Sequence, residues 1–381
     1  MFQAVGVHGP FPRMPRPISA LISPTALRHN LQRIRQTLDA ARAPGQAPAK
    51  TWSVIKANAY GHHIEAVLDG LRQTDGFAML ELDEAQRCRA AGWRGPILLI
   101  EGVFEPGDVR EAVALDTTLV LHGFHGINVL EAGGGAPATD VYVKLNTGMN
   151  RLGFRAEELG QALARLQGLQ DQGKLGRIGF MTHCATADGP QGIADQLAHF
   201  QQAVQGRTGP VSVANSAACL RFPERAGDWV RPGIALYGAS PFTDQSAASM
   251  GFRPVMTFRA ELIGVQTLKP GEGVGYGFGF VAEQAMRVGV VACGYADGYP
   301  RHARTGTPIQ VHGRRTRTLG TVSMDMLAVD LRGIPEAGIG SEVILWGAAG
   351  PSVDEVAEAA GTIGYELLTA VAPRVKRRIQ E

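Results

Sequence analysis

A lysine stands where a buried run ends. In Trp52-Ser53-Val54-Ile55-Lys56-Ala57-Asn58-Ala59-Tyr60-Gly61-His62, a short apolar stretch delivers Lys56 into a turn of small residues, with Tyr60 four positions later. A lysine so placed snorkels to water, pairs with an anion or does chemistry, and solvation is the commonest of the three. Other apolar runs end in similar residues. Lys144 and then Arg151 follow the run 141–145, His183 closes 178–183, Asn215 and Ser216 follow 211–214, and Arg231 lies within 229–236. If one architecture gathers these ends, it assembles an amine, several cations and hydroxyls.

Several common chemistries are missing. The chain has no G-x-S-x-G elbow, no H-E-x-x-H, no G-x-x-x-x-G-K-[ST] and no pair of carboxylates at the run ends. Gly273-Val274-Gly275-Tyr276-Gly277-Phe278-Gly279 resembles a dinucleotide loop only superficially, because no helical pattern follows it. What remains suits a phosphorylated aldehyde cofactor held by an amine as a Schiff base, that is, pyridoxal 5'-phosphate. Lys56 supplies the amine. Ser216, Gly233 and Ile234 offer hydroxyl and amide donors for the phosphate, and Tyr60 adds a phenol. Arg231 is the choice for the pyridine nitrogen: arginine keeps its charge and gives up no proton, so a ring facing it stays unprotonated and becomes a weaker electron sink.

The elements that must position these residues follow from the pattern of the chain. Thr51 to Ile55, Phe77 to Leu80, Ile97 to Ile100, Thr118 to Leu121, Val141 to Leu145, Ile178 to His183, Val211 to Ala214 and Trp229 to Leu236 are eight apolar runs alternating with amphipathic segments. Eight parallel strands close a (β/α)8 TIM-type barrel, whose site sits at the C-terminal strand ends. A helix opens at Ser23-Pro24 with Leu27, Leu31, Ile34 and Leu38 on one face; others cover 156–167, stopped by Gly168, and 195–204. After about residue 245 the texture turns β-branched and glycine-rich, which predicts a mainly β domain ending in a helix over 353–360. The expected divisions are a disordered lead over 1–17, a barrel over 18–245 and a β domain over 246–381.

Composition sets the outer bounds. With 381 residues, 45% hydrophobic and 19% charged, the chain can bury a large core, and its net charge of +2 argues against nucleic acid or an anionic membrane as partner. Four scattered cysteines form no metal-binding pattern. The proline-rich lead lacks a secretory core, and no run approaches the ~20 apolar residues of a membrane span, so a cytoplasmic location is expected. Arg374 to Arg378 is the one cationic cluster, read as a solvated helix or strand end.

Motifs in order along the chain are similar to those of the alanine racemases, the fold-type III pyridoxal phosphate enzymes, over residues 18 to about 380. They are Val54 to His62, Lys144 to Gly153, Met181 to His183, Arg231 to Gly238, Val274 to Gly277, Gly294 to Gly298, Ser323 to Met326 and Gly364 to Glu366. The resemblance implies a head-to-tail homodimer in which each barrel mouth meets the other subunit's β domain. It implies interconversion of L- and D-alanine, supplying D-alanine for wall peptide or degrading it, with Lys56 as the base on the D face and Tyr276 from the other subunit on the L face. Arg151 and the Met324 amide would bind substrate. His183, Asn215 and Tyr365 would join the cofactor contacts, with a chain from His183 and Arg231 favouring the Tyr276 phenolate. Lys144, Tyr295 and Asp325 would support the site, Lys144 being carbamylated in some members. Asn146 replaces the usual aspartate beside it, and His63 a usual glycine. Asp297 reads as a turn residue. A broader-specificity racemase and a non-catalytic pyridoxal phosphate carrier are the alternatives.

Overall fold

The computed structural model describes residues 16–136 and 138–380. The lead expected over 1–17 therefore lies outside the described residues except for Arg16 and Pro17. The chain enters through β1 (Ile18–Ile22) and the helix α1 (Pro24–Ala40). Ser23 caps α1 by accepting from the Ala26 N–H at 3.2 Å, and Leu27, Leu31, Ile34 and Leu38 are buried on one face, as the spacing requires.

Eight parallel strands follow: β2 (Lys50–Val54), β3 (Gly76–Met79), β4 (Ile97–Leu99), β5 (Thr117–Leu121), β6 (Val141–Lys144), β7 (Ile178–Met181), β8 (Val211–Asn215) and β9 (Trp229–Arg231). They form a closed barrel, with β2 and β9 joined through Lys50↔Trp229 and Thr51↔Val230. Each strand matches one of the eight apolar runs. The last is shorter than its run, because Pro232 and Gly233 end it and residues Ile234–Tyr237 form a 3-10 turn.

The second domain is an eight-stranded sheet built from β10 (Met256–Leu268), β13 (Met286–Val291), β14 (Pro308–Val311), β15 (Arg314–Leu319), β16 (Leu327–Asp330), β17 (Glu342–Trp346), β18 (Lys376–Ile379) and β1; β11 (Gly273–Val274) and β12 (Phe280–Val281) make a separate ribbon. The strand β1 pairs antiparallel with β10 and parallel with β18, so residues 18–22 belong to this sheet and not to the barrel segment expected over 18–245. A five-residue apolar run carries no information about which sheet receives it.

Two other expectations change. The helix expected over 156–167 is a 3-10 turn at Ala156–Glu158 followed by an α-helix at Leu159–Asp171 that passes through Gly168, because buried Leu169 extends its apolar face. An internal glycine costs about 1 kcal/mol, which that burial offsets. The basic cluster at the C-terminus is not merely solvated. It runs into β18, and Arg377 donates to the Gly61 carbonyl at 3.0 and 2.9 Å, tying the sheet to the turn after Lys56. The helix Val353–Ala360 ends at Gly361 as expected, and helix Gly364–Ala370 follows it. Among the described residues no helix is long and apolar enough to cross a membrane.

Candidate active site

The C-terminal ends of the barrel strands open on a cavity of about 650 Å³. Lys56, Lys144, Arg151, His183, Asn215, Ser216, Arg231, Gly233 and Ile234 line it, together with Tyr60 and with Tyr365 from the second domain of the same chain. Barrel residues spread from position 56 to position 234 thus share one mouth, as parallel closure dictates. Glu101 lines it too. It directly follows the run 97–100, the same signal that marks Lys56, but as a lone acid it matches no pattern of paired carboxylates, and sequence reasoning missed it.

Lys56 begins an unusual turn. Ala57, Asn58, Ala59 and Tyr60 all have φ between 50° and 56°, a left-handed helical turn without a glycine. Each such residue costs roughly 1–2 kcal/mol, and nothing in the residue types announces it. Hydrogen bonds from the Ala59 N–H to the Ile55 carbonyl (2.7 Å) and from the His63 N–H to the Asn58 carbonyl (2.9 Å) hold it. Gly61 closes it at φ 76°, where a Cβ would stand 2.1 Å from the Leu368 carbonyl oxygen. Burial lowers the pKa of the Lys56 amine, and the Arg151 charge lowers it further, against the opposing effect of Glu101 and Glu84. The amine is therefore more readily neutral than an exposed lysine's.

His62, fully buried behind this turn, donates from Nδ1 to the Ala59 and Tyr60 carbonyls at 3.0 and 2.9 Å, while its Nε2 has no partner among the described residues. Burial pushes its pKa down to about 4. With the folded value below the unfolded one, the unfolded chain takes up the proton first, so stability is complete above about pH 6.5 and declines as pH falls toward 4. The full effect is roughly 3 kcal/mol. Thermal denaturation across that window should show the decline, and His62→Gln should make it shallower, with His183, also lowered by burial, contributing the remainder; an unchanged slope in the variant would exclude His62 as a source.

The same cavity holds a cradle of donors. Ser216 Oγ accepts from the Gly233 N–H at 2.8 Å and the Ala235 N–H at 3.4 Å, leaving its own hydrogen free to donate outward. The Ile234 N–H donates to no protein oxygen among the described residues. Burial raises the pKa of the Tyr60 and Tyr365 phenols, which stay protonated and able to donate. A Cβ at Gly233 would lie 2.3 Å from the Tyr60 hydroxyl, so only glycine lets phenol and amide turn meet. These residues fit a phosphate. Gly233→Ala should displace Tyr60 and weaken pyridoxal phosphate binding by roughly tenfold or more, read by equilibrium dialysis. Native affinity in that variant would remove the cradle from the phosphate site.

Arg231 is buried and fixed by Ser212 Oγ (2.5 Å), the Thr182 carbonyl (2.6 Å) and the Val213 carbonyl (3.2 Å), while its Nε–H has no protein acceptor among the described residues. That donor set suits an unprotonated pyridine nitrogen. Burial, with Arg231 and Arg151 nearby, pushes Lys144 down to about 8. Burial and the surrounding cations push His183 down to about 3, so its imidazole is neutral. No hydrogen bond joins the His183 and Arg231 side chains among the described residues. The expected chain is therefore not formed within the subunit, and the permanent positive charge at the mouth is that of Arg231 and Arg151. Asn146 acts locally, its Oδ1 accepting from the Gly148 and Asn150 N–H groups at 3.2 and 3.0 Å and so shaping the loop that carries Arg151.

Tyr276, Tyr295, Met324 and Asp325 do not line this cavity. They occupy the surface of the β domain, where Tyr276 is 76% and Met324 54% exposed. The Tyr295 N–H donates to the Ser323 carbonyl at 3.0 Å, which sets Tyr295 beside Met324. Asp297 is more than a turn residue. Fully buried, it accepts from the Gly294 N–H (2.9 Å), Arg16 (3.0 Å) and Arg374 (2.8 Å), and Arg374 also donates to Asp325 at 2.7 Å. Arg16 and Arg374 are 281 and 77 residues away, beyond any local reading.

A parallel eight-stranded barrel with an amine facing an anion cradle at its mouth, joined to a β domain, defines a two-domain barrel enzyme. Residues 22–241 match the model for the alanine racemase N-terminal domain and residues 255–379 that for the alanine racemase C-terminal domain. The chain belongs to the alanine racemase family. It is 57% identical over 371 residues to an alanine racemase of Bordetella avium, covering 96% of this chain and 99% of that one. It is 58% identical over 370 residues to one of Bordetella petrii, covering 95% and 98%. The crystal structure of the biosynthetic alanine racemase of Pseudomonas aeruginosa superposes with a TM-score of 0.89 at 42% identity, over 96% of this chain and 100% of that one.

Proposed function

We propose that the protein interconverts L- and D-alanine at a site made by two copies of the chain, with pyridoxal 5'-phosphate at the barrel mouth. When bound, the cofactor supplies the electron withdrawal that acidifies the substrate's α-carbon proton. Lys56 would hold its aldehyde carbon, Ser216, Gly233, Ile234, Tyr60 and Tyr365 its phosphate, and Arg231 its ring nitrogen, with His183 and Asn215 alongside.

The chain's own residues then bind the substrate and move its proton. Arg151 takes the carboxylate with the Met324 amide of the partner subunit, and Lys144, Tyr295 and Asp325 support the arrangement. The phenolate of Tyr276 of the partner subunit takes the α-proton from L-alanine while the Lys56 ammonium gives one to the opposite face; for D-alanine the roles reverse. Each turnover leaves both groups in the protonation states needed for the return reaction. Arg151 and Arg231 line the mouth that the partner's Tyr276 would enter and would set positive charge beside it.

The observation that carries the reading is the separation of the two bases. Lys56 faces the cradle from inside the barrel, while Tyr276 stands outside it on a surface that also exposes Phe278, Met324 and Met326. Exposed apolar groups clustered this way mark an interface, and a second copy of the chain completes both sites at once. The test is incubation with L-alanine or L-serine in D₂O, following optical rotation and α-deuterium uptake. Racemisation of alanine with deuterium uptake supports the reading, fast turnover of serine points to a broader racemase, and release of carbon dioxide or no turnover overturns it.

A further inference from the structure

The left-handed turn after Lys56 is held from outside, and the restraints converge on Asn58. Its backbone N–H donates to Glu84 Oε1 at 2.8 Å, and its side-chain oxygen accepts from the Ile64 N–H at 3.1 Å and from Arg87 at 2.8 Å. Arg87 is gripped by both oxygens of Glu65, at 2.8 and 2.7 Å. Strained backbone persists only where its surroundings over-determine it.

Glu84 is the buried member of this group. It is 5% exposed, lies on the helix Leu82–Ala90 that follows β3, and accepts with its other oxygen from the Leu80 and Glu81 N–H groups at 3.3 and 3.4 Å. A carboxylate taken out of water needs its donors, and bonds to a charged acceptor are stronger than neutral ones. Reversing the hand of the turn would swing the Asn58 N–H away and leave the charge short of one. Glu84 does not line the cavity, so it reaches neither substrate nor cofactor directly.

We propose that Glu84 is a positioning residue for Lys56: by fixing the Asn58 amide it keeps the left-handed turn in place, and with it the direction from which the lysine enters the cavity. The proposal rests on the reading of Lys56 as the base and cofactor-holding lysine. Glu84 is anchored on the β3 side of the barrel, whereas Arg377 restrains the Gly61 end from the second domain, so the turn is clamped at two points by separate elements.

The test compares Glu84→Ala and Glu84→Gln in the full-length protein. Amide hydrogen exchange is measured without cofactor, pyridoxal phosphate affinity by titration, and kcat and KM after loading. In Glu84→Ala, exchange over residues 56–62 should accelerate while β5 stays native, cofactor affinity should fall roughly tenfold to a hundredfold, and kcat should fall more than KM changes. Glu84→Gln keeps an acceptor for the Asn58 N–H and should fall between Glu84→Ala and the native protein. If Glu84→Ala does not fold, the same readouts on Glu84→Gln decide the matter. Native exchange over 56–62 overturns the proposal, and so does faster exchange with native cofactor affinity and native kcat. Exchange and cofactor affinity are read whether or not the native protein turns over alanine. A failed alanine assay on the native protein thus sinks the functional reading alone.

Discussion

Tyr276→Phe is expected to suppress racemisation in both directions while D-alanine, unlike L-alanine, continues to exchange its α-proton with solvent. The symmetry of the overall loss is thermodynamic: mirror-image amino acids are equally stable, so kcat/KM for the two directions must remain equal in any variant. A single-base defect therefore appears in exchange, not in a directional rate. With the phenol gone, Lys56 still removes and returns the proton on the D face, washing in deuterium with retention of configuration. A positioned base contributes about a hundredfold to ten-thousandfold, which sets the scale of the lost racemisation. Proton NMR of each enantiomer in D₂O reads the outcome, and equal exchange of both by the variant would contradict the assignment of one base to each face. The variant should fold normally, because Tyr276 is largely exposed and its ring is retained.

Mixing two inactive variants is expected to restore activity. Lys56→Ala removes the amine from the barrel mouth and Tyr276→Phe the phenol from the β domain, and each homodimer carries two defective sites. If each site draws its lysine from one chain and its tyrosine from the other, as proposed, mixing the subunits gives a heterodimer that has one site with both defects and one with neither. Random pairing puts about half the protein in heterodimers with one working site of two, so recovery approaches about a quarter of native activity. If each subunit supplied both of its own bases, no combination would contain an intact site. The mixture would then stay as inactive as its parents, and the shared-site arrangement would be wrong.

Much of the fold was legible because parallel strands buried on both faces read as continuous apolar runs. All eight runs became barrel strands, and the polar residues at their ends met at one mouth. Where reading failed, the deciding contacts were distant. β1 went to the far sheet because β10 and β18 pair with it, and Asp297 became a buried hub because two arginines from the chain's extremities reach it. The helix through Gly168 reflects burial of Leu169, which propensity does not register.

By itself the sequence determined the kinds of groups available, their order and the barrel that gathers them, since residue type and apolar period are local properties. Only the tertiary structure decided how those groups are held and charged. It placed four residues after Lys56 in the left-handed region, made His183 neutral among cations, and set Tyr276 outside its own cavity. Hand of turn, protonation and reach depend on neighbours brought together by folding, and a linear pattern of residue types does not contain those distances.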